Sequence, residues 1–363
     1  MSLLSTRPRK HFFARDLARG PFWGRQVGML VVLIMLTGYP AAAQDTGIDF
    51  WYGSRQHFGQ NGEPQRWINV LGNVTGAERV ASLTYRLNGG PADTLRMGSD
   101  LHRLALPGDF NVELRWEAVQ PGENDLAVTA RYDDGRRATA QATLVVARGN
   151  TWPLPYRVDF TEVDDLQEVV QIIDGHWTLT GDGVRTVTPY YDRVIGMGDS
   201  TWQDYEALVR LTIHDFTPSE PGPPTYDVTH FGVAMRWRGH HADEHQPNRK
   251  WYPMGSQAEL LLHRLPDSSR YRILFGSEHQ TVVEETGFPL ELGQQRWIRA
   301  QTRTLSSGNT RYRYKTWPAD EPEPSAWNVE GIEPERLDYP SGSFLLVPHN
   351  SDVTIHEVSV TPL

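Results

Sequence analysis

The predicted fold is arranged around the stretch Thr229 to Arg264, which reads THFGVAMRWRGHHADEHQPNRKWYPMGSQAELLLHR. In its first part, apolar Phe231, Val233 and Met235 alternate with other residues, which is the two-residue period of a β-strand. A second strand-like segment closes the stretch, and the loop between them is rich in His, Trp, Arg and amide side chains. These features predict a β-hairpin whose loop and polar face meet a ligand.

Composition favours an all-β protein with more than one core. The 363 residues include 32 Gly, 25 Pro, 12 Trp and 14 Tyr, a mixture typical of short strands joined by turns. This length exceeds that of one ordinary sandwich, so we expect two domains. The absence of cysteine excludes disulfides and thiolate chemistry.

The first 43 residues have the features of a secretory signal peptide. Six basic residues precede the apolar run Val27 to Leu36, and the sequence AAA at 41–43 fits an A-x-A cleavage site before Gln44. An uncleaved anchor is the alternative, but a membrane span takes roughly 20 apolar residues, more than this run supplies. We therefore expect export of a chain beginning at Gln44, secreted or periplasmic, without membrane association after cleavage.

The mature chain is predicted to be acidic. The formal net charge is −10 for the whole chain and −15 for the chain without residues 1–43, because those residues contain six of the 35 basic and one of the 45 acidic side chains. Such a charge is repelled by nucleic acid and by anionic membranes, so neither is expected as a partner. Oligomeric state is not predicted.

Residues 44–150 are predicted to form a first small β-sandwich, because turn signals separate five or six strand-like segments. The segment Gly122 to Gly135 (GENDLAVTARYDDG) resembles the F strand and F–G turn of bacterial immunoglobulin-like and cadherin-like modules. The resemblance implies an immunoglobulin-like β-sandwich. A proline-bearing linker is predicted at 151–157 (TWPLPYR). The predicted strands are Trp67–Val74, Ser82–Asn88, Phe110–Val119, Asp125–Tyr132 and Ala138–Val146.

Residues 158–363 carry a second set of strand-like segments. The chain closes with GSFLLVPHNS at 342–351 and VTIHEVSV at 353–360, and YKTW at 314–317 is followed by EPEP at 321–324. These segments and their order resemble the concanavalin A-like lectin and glucanase (laminin G-like) jelly roll. The resemblance implies a concanavalin A-like jelly-roll β-sandwich over 158–363 whose concave sheet face binds glycans.

Candidate site residues follow from the alternation of the hairpin strands and from the loop. The alternative to a ligand-binding face is an ordinary solvated face with ion pairs. The alternative for Trp251 is that it packs within its loop. The ligand-binding candidates are His230, Arg236, Arg238, Gln246, Trp251 and Gln257, and the catalytic candidates, if the protein is an enzyme, are Glu206, Glu259 and His263.

No metal ligand or cofactor is predicted. The segment HHADEH at 240–245 places His241 and His245 four residues apart, but nearby Gly, Pro and Asn oppose a helix and no HExxH order is present. A structural calcium ion held by scattered carboxylates is compatible with the sequence and leaves no recognisable spacing.

The first functional prediction is a secreted protein that binds an extracellular polysaccharide. A glycoside hydrolase or polysaccharide lyase is the alternative, and a structural or adhesive surface protein is a further one. Retaining glucanases of this fold carry an ExDxxE strand motif, whereas the nearest segment here, EVDD at 162–165, lies at the start of the domain. Lyases of the fold use His and Tyr with Arg and Gln, and Gln257, His263, Arg236 and Tyr314 match in residue type alone.

Overall fold

The computed structural model describes residues 47–216, 229–262, 269–276, 282–288 and 290–363. The predicted signal peptide and His263 lie outside these ranges. Residues from Asp45 to Leu363 belong to one compact unit. No helix in the described ranges is long and apolar enough to cross a membrane.

Residues 47–150 form two sheets around one core. A three-stranded antiparallel sheet has the order β1-β3-β6, and a five-stranded sheet has the order β2-β8-β7-β4-β5. Only β2 and β8 pair in parallel among the described strands of this part. Ile68, Val70, Phe110, Leu126 and Leu144 from both sheets fill the core. The strands are β1 (Ile48–Phe50), β2 (Arg55–Phe58), β3 (Trp67–Val74), β4 (Val80–Leu87), β5 (Asp93–Leu95), β6 (Asp109–Arg115), β7 (Gly122–Tyr132) and β8 (Arg137–Val146).

The rest of the described chain forms a larger antiparallel sandwich. One sheet has seven strands in the order β10-β13-β22-β15-β16-β17-β18, and the other has the order β11-β12-β23-β14-β19-β20-β21 with β9 paired to β23. The strands are β9 (Tyr156–Asp159), β10 (Gln171–Asp174), β11 (Trp177–Thr180), β12 (Gly183–Thr186), β13 (Val194–Met197), β14 (Tyr205–Phe216), β15 (His230–Trp237), β16 (Ser256–Leu261), β17 (Ser269–Phe275), β18 (Val282–Phe288), β19 (Gln295–Thr304), β20 (Thr310–Pro318), β21 (Val329–Glu333), β22 (Ser343–His349) and β23 (Ser351–Pro362).

Helical structure in the described ranges is confined to short 3₁₀ turns. The turns are Ala77–Arg79, Trp116–Ala118, Phe160–Glu162, Leu166–Glu168 and Glu335–Leu337. The all-β prediction is therefore confirmed, and the two large antiparallel sheets form a jelly-roll β-sandwich. The immunoglobulin-like character of the first part and the domain limits stay predictions.

Alternation along β14 shows how sequence builds the main core. Tyr205, Ala207 and Val209 are buried against the seven-stranded sheet, whereas Glu206 and Arg210 lie on the opposite face of the strand. From the seven-stranded sheet, Phe231, Val233 and Met235 of β15 enter the same core, as do Phe344 and Leu346 of β22. The outer face of the seven-stranded sheet is thus formed by the remaining residues of β15, β16 and β22.

A bulge interrupts β15 near its end. The register of β15 with β22 shifts between Met235 and Trp237, and Arg236 has a positive φ of 54°. A bulge of this kind turns the following side chains to the other face of the sheet. Trp237 accordingly joins a second, smaller core with Leu345 and Val347 on the outer face.

Charged and polar side chains are buried where the two parts of the chain meet. The Arg103 guanidinium donates to Asp174 Oδ1 at 2.7 Å and to Glu113 Oε1 at 2.6 Å, and all three side chains are buried. Glu113 Oε2 also accepts from the backbone N–H and the side-chain amide of Asn248, at 2.7 and 2.8 Å. Asn248 belongs to the long β15–β16 loop, so the first part of the chain holds this loop in place.

Candidate functional site

Two histidines meet on the outer face of the seven-stranded sheet. His230 begins β15 and His349 ends β22, and the antiparallel register places them opposite each other. Their rings stack with centroids 4.7 Å apart and an interplanar angle of 12°. Gly232, the next residue on this face, makes room for a neighbour, because a Cβ there would lie 3.2 Å from Nε2 of Gln257.

Asp192 reaches the histidine pair from the segment before β13. His349 Nδ1 donates to Asp192 Oδ1 at 2.7 Å, and the Trp251 indole Nε1 donates to Asp192 Oδ2 at 2.8 Å. Burial alone would raise the pKa of Asp192, but the charge and hydrogen bond of His349 together with the Trp251 bond hold this pKa below its ordinary value. Asp192 is therefore a carboxylate at neutral pH and fixes the orientation of the His349 ring.

A second carboxylate, that of Glu259, lies near His230. Glu259 Oε1 is 3.7 Å from His230 Nε2 and accepts from Gln257 Nε2 at 2.8 Å. Glu259 Oε2 accepts from Arg272 Nε at 2.6 Å. Burial raises the pKa of Glu259, and the adjacent Arg272 guanidinium opposes this rise. Together these side chains form the polar cluster, which consists of Asp192, His230, Gln257, Glu259, Arg272 and His349.

The histidine pair has unmet hydrogen-bonding capacity. Burial, reinforced by the neighbouring His349, holds the pKa of His230 well below its ordinary value, so its imidazole is neutral at neutral pH. Among the described residues, Nδ1 of His230 and Nε2 of His349 are buried and have no hydrogen-bond partner. A buried nitrogen without a hydrogen-bond partner costs about 1–3 kcal/mol of stability, so the two histidines favour binding of a ligand that bonds to these nitrogens.

Aromatic side chains border the polar cluster. The Tyr191 ring contacts His349 edge-on with centroids 4.5 Å apart. Trp251 packs against Trp237 and His240 at centroid distances of 5.5 and 4.9 Å, and Tyr252 also packs on this outer-face core. Tyr191, Trp251, Tyr252 and Arg272 are all partly exposed, so they form the accessible rim of a mostly buried site.

The structure brings together only part of the predicted set. His230, Gln257 and Glu259 share the polar cluster, and Trp251 joins it through its bond to Asp192. Trp251 therefore packs within its loop and bonds to Asp192, and its predicted role in ligand binding stays a prediction.

Arg236 does not join the cluster, in contrast to the expected alternation. The bulge directs its guanidinium between the ends of the two large sheets, where it is buried and donates to Asp204 Oδ1 at 2.8 Å and Asp338 Oδ2 at 3.0 Å. It also donates to the hydroxyls of Thr304 and Thr310 at 2.7 and 2.8 Å. These partners satisfy the side chain and indicate a structural role.

Arg238 and Gln246 contact other parts of the chain. Arg238 donates to the backbone oxygen and the hydroxyl of Ser341 and lies over the Tyr339 ring. Gln246 donates to the Glu113 backbone oxygen at 3.0 Å, so it anchors the loop to the first part of the chain. Both side chains therefore hold the loop rather than line the cluster.

Glu206 lies on the other large sheet, where Arg299 and Gln301 donate to its carboxylate. This position is on the outer face of β14, across the main core from the polar cluster. His263 lies outside the described residues.

Asp192, Arg272 and His349 were missed from the sequence. His349 could have been found by extending the alternation of β22 to its last residue, because it follows Leu345 and Val347 on one face. Asp192 had no such signal, since it precedes a strand and lies 157 residues from its partner His349. Arg272 required the pairing of β17 with β16, which places it opposite Glu259.

The loop histidines have other partners. His241 Nε2 is 3.0 Å from the Pro253 backbone oxygen and 3.1 Å from the Tyr339 hydroxyl. His245 Nδ1 is 3.0 Å from the backbone oxygen of Asp243. Among the described residues, the grouping that suits a metal ion is instead Asp192, His230 and His349.

Among known proteins, matches to this chain were found only in the comparison with solved structures. No protein-family model matches the sequence, and no curated protein matches it. The lumenal domain of VIP36 in its Ca²⁺/Man2-bound form has a TM-score of 0.37 and 12% identity, covering 58% of this chain and 86% of that chain. Xenopus laevis galectin-Ib has a TM-score of 0.26 and 12% identity, covering 48% and 98%. CG-16, an agglutinin from chicken liver, has a TM-score of 0.25 and 12% identity, covering 47% and 96%. The function is therefore inferred from the side chains of the site itself.

Proposed function

We propose that this chain is an exported carbohydrate-binding protein that recognises an extracellular polysaccharide at the polar cluster. The observation that carries the proposal is the convergence of Gln257, Glu259 and Arg272 with two imidazoles on one sheet face, beside partly exposed aromatic rings. Sugars present rings of hydroxyls and apolar C–H faces, and a site for them combines such hydrogen-bonding groups with aromatic side chains.

The hydrogen-bonding pattern supports the proposal further. Glu259 and Asp192 present carboxylate oxygens that accept from sugar hydroxyls, whereas Arg272 and Gln257 donate. Because these groups already bond to one another, their rotamers are fixed before a ligand arrives. A fixed site loses little side-chain entropy on binding.

The test is polysaccharide retention by the purified mature chain, with one tryptophan variant beside the polar cluster and one on the other large sheet. Trp251→Ala should weaken binding by roughly 1–3 kcal/mol, because it removes a rim aromatic and the donor to Asp192. The matched control is Trp297→Ala, since Trp297 is also partly exposed but lies on β19 of the other sheet beneath Arg210. Equal losses in both variants, or no retention of any polysaccharide by the unaltered chain, would contradict the proposal.

A second candidate, cleavage of the bound polysaccharide, is favoured by one observation. The neutral His230 lies between two carboxylates, one bound to a second histidine and the other with a raised pKa, a combination suited to acid and base roles. In that case Glu259→Gln would abolish the release of sugars while polysaccharide retention persists. Retention without released product in the unaltered chain leaves binding as the function.

The predicted module order, signal cleavage and a structural calcium ion belong to the same proposal. The separate hydrophobic core before residue 150 supports an immunoglobulin-like module over 44–150 and a jelly roll over 158–363. The acidic charge of the mature chain supports a carbohydrate partner over nucleic acid.

A further inference from the structure

We propose that Asp192, His230 and His349 bind one divalent transition-metal ion of the zinc type. One potential ligand atom from each of these three side chains lies within 4.8 Å of the other two, and all three side chains are buried. The inference rests on this ligand set and does not require the proposed polysaccharide function.

The chemistry of the ligands selects the class of ion. Two imidazole nitrogens and one carboxylate oxygen suit zinc and its neighbours in the first transition series, whereas calcium and magnesium prefer sites built from oxygen. In the described part of the chain each histidine also has one buried ring nitrogen without a hydrogen-bond partner, Nδ1 of His230 and Nε2 of His349. A cation bound at such a nitrogen would give it a partner.

The site needs only a local adjustment to close around an ion. Zinc bonds of about 2.0–2.2 Å place tetrahedral ligand atoms roughly 3.4 Å apart, so the most distant pair approaches by about 1 to 1.5 Å. Asp192 Oδ1 and the ring of His349 are already in contact at 2.7 Å. Where Nδ1 of His349 is the ligand, its proton leaves that atom and Nε2 carries the one ring proton, so the imidazole binds in its neutral form.

Neighbouring side chains are placed as an outer shell. Trp251 donates to Asp192 Oδ2 at 2.8 Å, and Gln257 Nε2 is 3.2 Å from His230 Nε2. Glu259 lies beyond Gln257 and close to the same imidazole. Hydrogen-bonding groups of this kind orient metal-binding histidines and carboxylates. Three protein ligands also leave a fourth position, which water or a sugar hydroxyl can occupy.

The experiment measures zinc binding by the full mature chain after treatment with a chelator and dialysis. Titration calorimetry with zinc chloride should give one equivalent bound, and cobalt(II) should give the absorption bands of a nitrogen- and oxygen-ligated tetrahedral ion. Calcium chloride at the same concentrations should give no binding at this site. Absence of a one-equivalent zinc site in the unaltered chain, or calcium binding that displaces zinc, would overturn the proposal.

Variants locate the site. Asp192→Asn and His230→Gln should each weaken zinc binding by at least about 100-fold, because each removes a direct ligand. The matched control is His356→Gln, since His356 is also buried but bonds to Thr212 in the other sheet. Unchanged zinc affinity in the two cluster variants would refute the assignment, and circular dichroism confirms that each variant is folded. If a variant does not fold, the cobalt spectrum of the unaltered chain decides whether nitrogen ligands are present.

The two proposals fail separately. Zinc binding without retention of any polysaccharide would refute the carbohydrate function alone. Polysaccharide retention by a chain that binds no zinc would refute the metal site alone.

Discussion

Replacing Arg236 with alanine should destabilise the protein strongly. The guanidinium is buried and donates to Asp338 Oδ2 at 3.0 Å and Asp204 Oδ1 at 2.8 Å. Without it, the Asp338 side chain, which is 3% exposed, keeps the Tyr312 hydroxyl as a partner but loses its counter-charge. Breaking a buried ion pair from one side costs about 3–5 kcal/mol, so we expect a loss of this size in the free energy of unfolding.

The assay is equilibrium urea unfolding of the mature chain, followed by tryptophan fluorescence. The matched control is Arg55→Ala, because Arg55 pairs with Glu123 at 2.8 Å while both side chains remain more than half exposed. An exposed pair contributes about 0–1 kcal/mol, so this variant should unfold close to the unaltered chain. A loss below about 1 kcal/mol for Arg236→Ala would refute the structural role assigned to the bulge.

The stability lost in Arg236→Ala should decrease as the pH is lowered. Burial raises the pKa of Asp338, and the Arg236 charge opposes that rise, so removing Arg236 raises the pKa further. A protonated Asp338 needs no counter-charge. The stability deficit of the variant should therefore be largest at neutral pH and shrink as the pH falls through the folded-state pKa. A deficit that grows on acidification would contradict this account.

Four further outcomes are expected. Arg103→Met should lower the free energy of unfolding by about 3–5 kcal/mol, because Asp174 loses its buried partner. A fragment of residues 151–363 also lacks Arg103, so it should unfold at a lower urea concentration than the whole chain. Unchanged midpoints in urea would show that this junction is weak. Val233→Ala should cost roughly 1–3 kcal/mol in thermal or urea unfolding while polysaccharide retention by the folded variant persists. N-terminal sequencing of the exported chain should begin at Gln44, and retained upstream residues would contradict cleavage there.

The sequence predicts strands better than it predicts their contacts. β3 spans Trp67–Val74 as expected, and β15 and β16 pair as the predicted hairpin, because two-residue alternation and turn residues are local signals. The three predicted site residues that the structure places together, His230, Gln257 and Glu259, either precede the bulge or lie on the regular partner strand, and their role in binding stays a prediction.

The remaining site residues depended on information that alternation does not contain. The bulge at Arg236 adds one residue to β15, and a shift by one residue exchanges the faces of a strand. His349 and Asp192 approach His230 through strand order and register across the sheet, which are set by the whole fold. Single-sequence periodicity therefore identified the sheet face but not its full set of side chains.

Under the proposed function, the hydrogen bonds between Glu113 and Asn248 let the first part of the chain influence recognition from a distance. They immobilise the loop that carries Trp251 before any ligand arrives, so the entropy of ordering that loop is lost during folding and not during association. Substitution of Glu113 would also remove a buried partner of Arg103, but in a variant that stays folded the side chains of the polar cluster remain and the residence time of the bound molecule should shorten. Under the proposed function, affinity can therefore change through substitutions in the first part of the chain, away from the polar cluster.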